Sequence, residues 1–180
     1  MTKYLIKTDT EERKTHIIKL QSPIERIGLV YTDFIVRPDT RDISREEIVN
    51  PQINKSIGHV NLHKKEGLVS VTFEGREIAT INRDGGYKED SKEVPIRRYN
   101  STDLSSDKYA RLKQMGLTHA YSLGEESSLA YVFCFARNGG LASIAISREE
   151  KEGTNIALKG LALSIATRVE EQDYLFDFLR

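Results

Sequence analysis

The chain has 180 residues with 27 Lys plus Arg against 27 Asp plus Glu, so its formal net charge is zero, and 38% of it is hydrophobic. That size buries about two thirds of the unfolded surface, enough for a core without metal or disulfide staples. Its single cysteine, Cys134, excludes a disulfide scaffold; no run reaches the ~20 apolar residues of a spanning helix; and the even charge excludes a broad nucleic-acid surface.

Segments 4–7, 15–20 and 29–36 are rich in Thr, Val, Ile, Tyr and Phe and read as strands. Between them, Ser22-Pro23-Ile24-Glu25 forms a capping box that starts one short helical turn, ended by Gly28. Within the polar stretch 37–56, Ser44-Arg45-Glu46-Glu47 repeats that pattern, and Pro51 closes the helix it would start. A strand is expected at 58–62. Over 68–81, Val69, Val71 and Phe73 alternate, Glu74-Gly75 turns the chain, and Ile78 and Thr80 follow. A tight hairpin is expected there, with Val71 opposite Ile78 and Val69 opposite Thr80. Residues 82–103 lack apolar periodicity and read as a long connection. It is the place for any subdivision of the single 1–180 domain into an N-terminal mostly β part and a C-terminal α/β part.

A helix is expected over 104–115, capped by Asp103 or Ser101, with Leu104, Ala110 or Tyr109, Leu112 and Met115 in its apolar stripe and Gly116 as its stop. A strand follows at 119–123. The strongest hairpin signal is next: arms 129–136 and 141–146 joined through Asn138-Gly139. That turn pairs Phe135 with Ala142, Phe133 with Ile144 and Tyr131 with Ile146 on one face. On the other it pairs Ala136 with Leu141, Cys134 with Ser143 and Val132 with Ala145. One face is aromatic; the other is small, so a helix can approach it closely. Both are apolar, so both should be covered. Ser147-Arg148-Glu149-Glu150 is a third capping-box pattern. Over 155–179, Leu158, Leu161, Ala162, Ile165, Ala166, Val169 and Phe176 then recur at helical spacing, with a polar break at Gln172-Asp173 and Thr154 as candidate cap. The terminal Tyr174-Leu175-Phe176-Asp177-Phe178-Leu179 is densely apolar and should pack on the domain or against a second subunit.

No clustered catalytic set emerges. His59 and His63 sit four apart in a predicted strand, roughly 13 Å along it, too far for one zinc. Cys134 reads as a small core hydrophobe that His119 could approach from a neighbouring strand. Asp84-Gly85-Gly86 and Asn138-Gly139-Gly140 read as turns, and no Walker-type lysine is present. Pro38-Asp39, with Asp90-Ser91-Lys92 or Glu74 and Glu77, loosely matches a metal-dependent nuclease pattern. Arg97-Arg98-Tyr99 is a basic patch beside an aromatic, chemistry suited to an anion.

The expected fold is α+β: a mainly antiparallel sheet with a long C-terminal helix packed on one face, three-layered if the aromatic face is also covered. The expected function is a non-catalytic cytoplasmic binding or regulatory protein. It would recognise a protein partner or small anionic ligand through Arg97, Arg98, Tyr99, Tyr131 and Phe133. No catalytic residues, metal, cofactor or membrane association are expected, and 174–179 would form any homo-oligomer contact. The helix–strand–hairpin–helix order after residue 104, also found in small sensory domains, supports an alternative small-molecule-sensing module with an internal pocket. A metal-dependent nuclease is the third reading.

Overall fold

A computed structural model describes residues 2–9, 11–20, 32–42, 44–63, 65–82, 85–126, 129–137 and 140–171. Along the chain run β1 (Thr2–Asp9), β2 (Lys14–Lys19), β3 (Thr32–Pro38), β4 (Arg45–Asn50), β5 (Lys55–His63), β6 (Leu68–Phe73), β7 (Arg76–Asn82), β8 (Tyr87–Glu89), β9 (Lys92–Glu93) and β10 (Ile96–Asn100). Then come α1 (Ser106–Gln114), β11 (Leu117–Leu123), β12 (Ala130–Arg137), β13 (Gly140–Ser147) and α2 (Asn155–Glu171). All the strands form one antiparallel sheet in the order β10-β11-β12-β13-β1-β2-β3-β4-β5-β6-β7-β8-β9. Two meanders, β1–β9 and β10–β13, are joined where β13 pairs with β1, so residues far apart in sequence are neighbours.

The sheet curls around α2. Every residue from 156 to 165 is buried, and ten successive residues cover all sides of a helix. The same helix packs on β12, β13 and β1 and also on β6 and β7. The two ends of the sheet, β9 and β10, are joined by Val94-Pro95 alone. Around that link Val94 donates its amide to the Tyr87 carbonyl (3.0 Å), and Gly124 donates to that of Pro95 (2.9 Å). Alternation along the strands follows from this wrap. Tyr4 and Ile6, Ile17, Val60, Val69 and Val71, Val132 and Ala145 point inward and are buried.

The α+β expectation, with a long helix laid on one face, is therefore corrected. Among the described residues the molecule is mostly antiparallel sheet with two α-helices, and α2 is enclosed rather than laid on a layer. Its apolar residues do recur at helical spacing, but the residues between them (Ala157, Gly160, Leu163) are also apolar, which only an all-round environment tolerates. The small face of β12–β13 does receive the helix closely. A Cβ built on Gly160 would stand 3.0 Å from the Ala145 Cβ and 2.8 Å from Ile6 Cδ1.

Local readings fare unevenly. The β12–β13 register is the expected one at all six pairs. The β6–β7 hairpin turns at Glu74-Gly75, both at positive φ, but Val71 faces Ala79 and Val69 faces Ile81. A bulge after Thr72–Glu77 shifts the pairing and buries both Ile78 and Ala79. Ser44-Arg45-Glu46-Glu47 is not a helix start: β4 runs through it, because Ile48 and Val49 gain more from burial between β3 and β5 than a short turn offers. The 82–103 connection holds β8, β9 and β10, which are too short to show periodicity. Helix α1 is capped at Ser105, while Asp103 accepts a hydrogen bond from the Asn100 amide (2.8 Å). Met115 ends that helix 39% exposed. The segments 22–25, 29–31 and 174–179 and the Asn138-Gly139 turn lie outside the described residues.

Candidate functional site

Cross-strand partners share a face, so the register assigns the outside of the sheet row by row. One row runs Arg97, Ser122, Tyr131, Ile146, Lys3. The next runs Tyr99, Ala120, Phe133, Ile144, Leu5, Ile18, and a third Phe135, Ala142, Lys7, His16. Four of the five ligand residues expected from sequence, Arg97, Tyr99, Tyr131 and Phe133, thus meet on one outer surface. Arg97 lies over the Tyr99 ring, 4.9 Å from its centroid. Tyr131 and Phe133 stack at 6.3 Å, and Tyr109 of α1 reaches Phe133 at 6.4 Å. The rings are half-buried, so the expectation of a hairpin covered on both sides is corrected: α2 seals only the small face, and α1 shelters only part of the aromatic one. Among these row positions the charges are Arg97, Lys3 and Lys7, with His16, and there is no carboxylate.

Arg98 faces the other way. It pairs with Tyr121, whose ring lies in the core, and its guanidinium carbon is 6.0 Å from that ring. His119 stands next to Tyr121 (5.4 Å, edge to face) and directly opposite Cys134. Its pKa falls to about 4, first because burial penalises the cation and then because Arg98 is close. At neutral pH it is an uncharged imidazole, with Nδ1 2.8 Å from the Thr118 hydroxyl. Cys134 and His119 are 7% and 5% exposed, a packed core pair.

A second feature escaped the sequence reading. At the end of the wrap, a cleft of about 290 Å³ is lined by Glu89, Val94, Pro95, Leu123, Glu125, Ala130, Glu149, Glu152 and Lys159. The Lys159 ammonium, on the enclosed helix, is held by Glu152 (2.9 Å) and Glu89 (3.0 Å). Glu89 also accepts from the Tyr87 hydroxyl (2.9 Å), whose pKa is raised well above 10 by burial and then by that carboxylate. The available signal was one lysine inside the apolar run 156–165.

The nuclease candidate separates. Asp39 is 3% exposed and accepts from the Arg41 amide (2.9 Å) and from Arg45 Nε (2.7 Å), so it braces the β3–β4 turn. Its carboxyl is held below the ordinary range, most strongly by the Arg41 amide. His59 Nε2 lies 3.8 Å from it. Asp90 sits at positive φ in the β8–β9 turn, and Glu74 in the β6–β7 turn. His59 and His63 are both on strand β5, as the spacing required. Among the described residues, no three His, Cys, Asp or Glu side chains gather closely enough to hold a metal ion. Nor, among them, is any helix long and apolar enough to cross a membrane.

No family model, curated protein or solved structure matches this chain.

Proposed function

We propose that this chain is a non-catalytic, cytoplasmic binding or regulatory protein. It recognises a protein partner or small anionic ligand on the outer face of β10–β13, where Arg97 supplies the charge and Tyr99, Tyr131 and Phe133 the apolar surface. The observation that carries the reading is the register, which lines Arg97 up with Tyr131 and Tyr99 with Phe133 on one side of the sheet. A guanidinium beside half-buried rings can hold a carboxylate or phosphate bidentately while the rings exclude water.

Isothermal calorimetry with inorganic pyrophosphate, AMP and a Glu-rich peptide tests it. A charged hydrogen bond contributes about 1.5–3 kcal/mol, so Arg97→Glu should weaken binding by tenfold or more. Arg98→Glu, on the opposite side, should leave it unchanged. Equal losses from both variants, or none from Arg97→Glu, dismiss the site. A second reading, small-molecule sensing, is supported by the Lys159 cleft, whose volume is near the ~300 Å³ lower end of ligand pockets. Its test is a thermal-shift series of small amines and carboxylates. A rise in Tm that disappears in Glu152→Gln supports it, and no rise removes it.

A further inference from the structure

We infer that the cleft around Lys159 binds a linear aliphatic diamine or polyamine. This names a ligand class for the small-molecule reading of that cleft and rests on it; the outer face of β10–β13 plays no part. From Ile156 to Ile165, α2 carries one ionisable side chain, Lys159, which is 8% exposed inside the wrap. A buried ion triad is a weak stabiliser, since well-packed apolar residues of the same volume often do as well, so holding the fold does not account for Glu89, Lys159 and Glu152. All three line the cleft of about 290 Å³, whose other walls are partly apolar. A concave site with an apolar wall and a few convergent polar groups is the usual form of a small-molecule pocket.

Charge sets the class of ligand. Glu125 and Glu149 also line the cleft, so four carboxylates surround one ammonium, a formal excess of three negative charges. Glu149 has the exposed Lys151 at 3.9 Å, and among the described residues Glu125 has no ion-pair partner. The amino end of α2, which begins at Asn155, offsets at most about half a charge. A single metal ion does not answer this excess: among the described residues no three His, Cys, Asp or Glu side chains gather closely enough to hold one. The carboxylates stand instead on separate elements, Glu89 on β8, Glu125 after β11, Glu149 after β13 and Glu152 before α2. That spread suits a cation whose charges are themselves set apart. Between them Val94, Leu123 and Ala130 offer an apolar wall for its methylene stem, as the stem of a lysine lies along apolar surface. Beside such walls an ammonium–carboxylate attraction is screened less than in bulk water.

Isothermal calorimetry on the full chain tests this, with putrescine, cadaverine and spermidine set against butylamine and glutarate at matched ionic strength. At least one of the diamines or spermidine should bind roughly tenfold or more tightly than butylamine, and glutarate should not bind. Glu125→Gln/Glu149→Gln spares both carboxylates that hold Lys159. It should weaken that ligand by roughly tenfold and leave the Tm of the free protein unchanged. Glu74→Gln, in the exposed β6–β7 turn, should change nothing. Equal losses in the two variants mean a diffuse surface charge effect and overturn the proposal, as does butylamine binding as tightly as every longer amine. Glutarate binding in place of the amines overturns the amine assignment while the reading of the cleft as a small-molecule site stands. Binding by neither class ends both.

Discussion

Two glycines show how much a single hydrogen in place of a methyl group decides. At Gly58, on the inward face of β5, a Cβ would run into the Thr72 carbonyl oxygen, which is backbone and cannot turn aside. Gly58→Ala should cost about 2–3 kcal/mol, the upper part of the range for overpacking. At Gly160 the obstacle is the mobile end of Ile6 together with the Ala145 methyl, and alanine recovers about 1 kcal/mol of helix propensity. Gly160→Ala should therefore cost clearly less, and urea unfolding of the two variants checks the order. Asp39 and His119 are among the groups that shape the acid limb of stability. Asp39 has its pKa lowered from 3.8, so its stabilisation is full above that value and is lost as pH falls through the folded one. His119 is lowered from 6.5 to about 4, so the unfolded chain takes up its proton first and stability declines as pH falls from 6.5 toward 4. Urea midpoints between pH 7 and 4 should show a slope that His119→Phe flattens above pH 4.5, while Asp39→Asn should lower the midpoint by a similar amount throughout that range, its deficit shrinking only below about pH 4.

The enclosure of α2 makes its own prediction at the scale of elements. Leu161 and Leu163 are both 0% exposed and project from nearly opposite sides of the helix. Truncating either to alanine should cost about 2–5 kcal/mol. A helix lying on one face would lose that much from only one of them, so a near-neutral Leu163→Ala would contradict the wrap. Elements also explain which parts of the sequence were legible. The β12–β13 arms were readable because their pairing is local and the Asn138-Gly139 letters between them are a short-range hairpin signal. The β6–β7 hairpin was readable only to within one residue, since its bulge answers to the burial of Ile78 and Ala79 against the helix. Strand β4 was misread as a helix because its capping-box letters carry a weak local preference that two neighbouring strands override.

The whole molecule closes through its longest connections. β1 pairs with β13 along six residue pairs, such as Lys3 with Ile146 and Lys7 with Ala142, and α2 must be surrounded by strands drawn from both ends of the chain. Such non-local pairing has to meet its loop-closure cost before it is rewarded, so folding should be slow, with relaxation in milliseconds to seconds. Stopped-flow refolding measures this, and a microsecond phase carrying the full amplitude would contradict it. At the end of the wrap, Lys159→Met would leave Glu89 and Glu152 facing each other without their shared cation. Both carboxylates are about a quarter exposed, so the loss should be about 1–3 kcal/mol rather than that of a fully buried pair. Equilibrium unfolding at neutral pH is the measurement.

Alternation, turn chemistry and helical spacing, all readable from neighbours within a few positions, determined where most strands lie, how β12 meets β13, and that residues 156–165 form an apolar helix. Such short-range signals cannot say which distant edges join, because the backbone groups of every edge are chemically alike and only mutual burial distinguishes them. Tertiary structure alone therefore decided that β13 meets β1 and that the helix is encircled. It also turned Arg97 and Arg98 to opposite sides and brought Lys159 to Glu89 across more than a third of the chain.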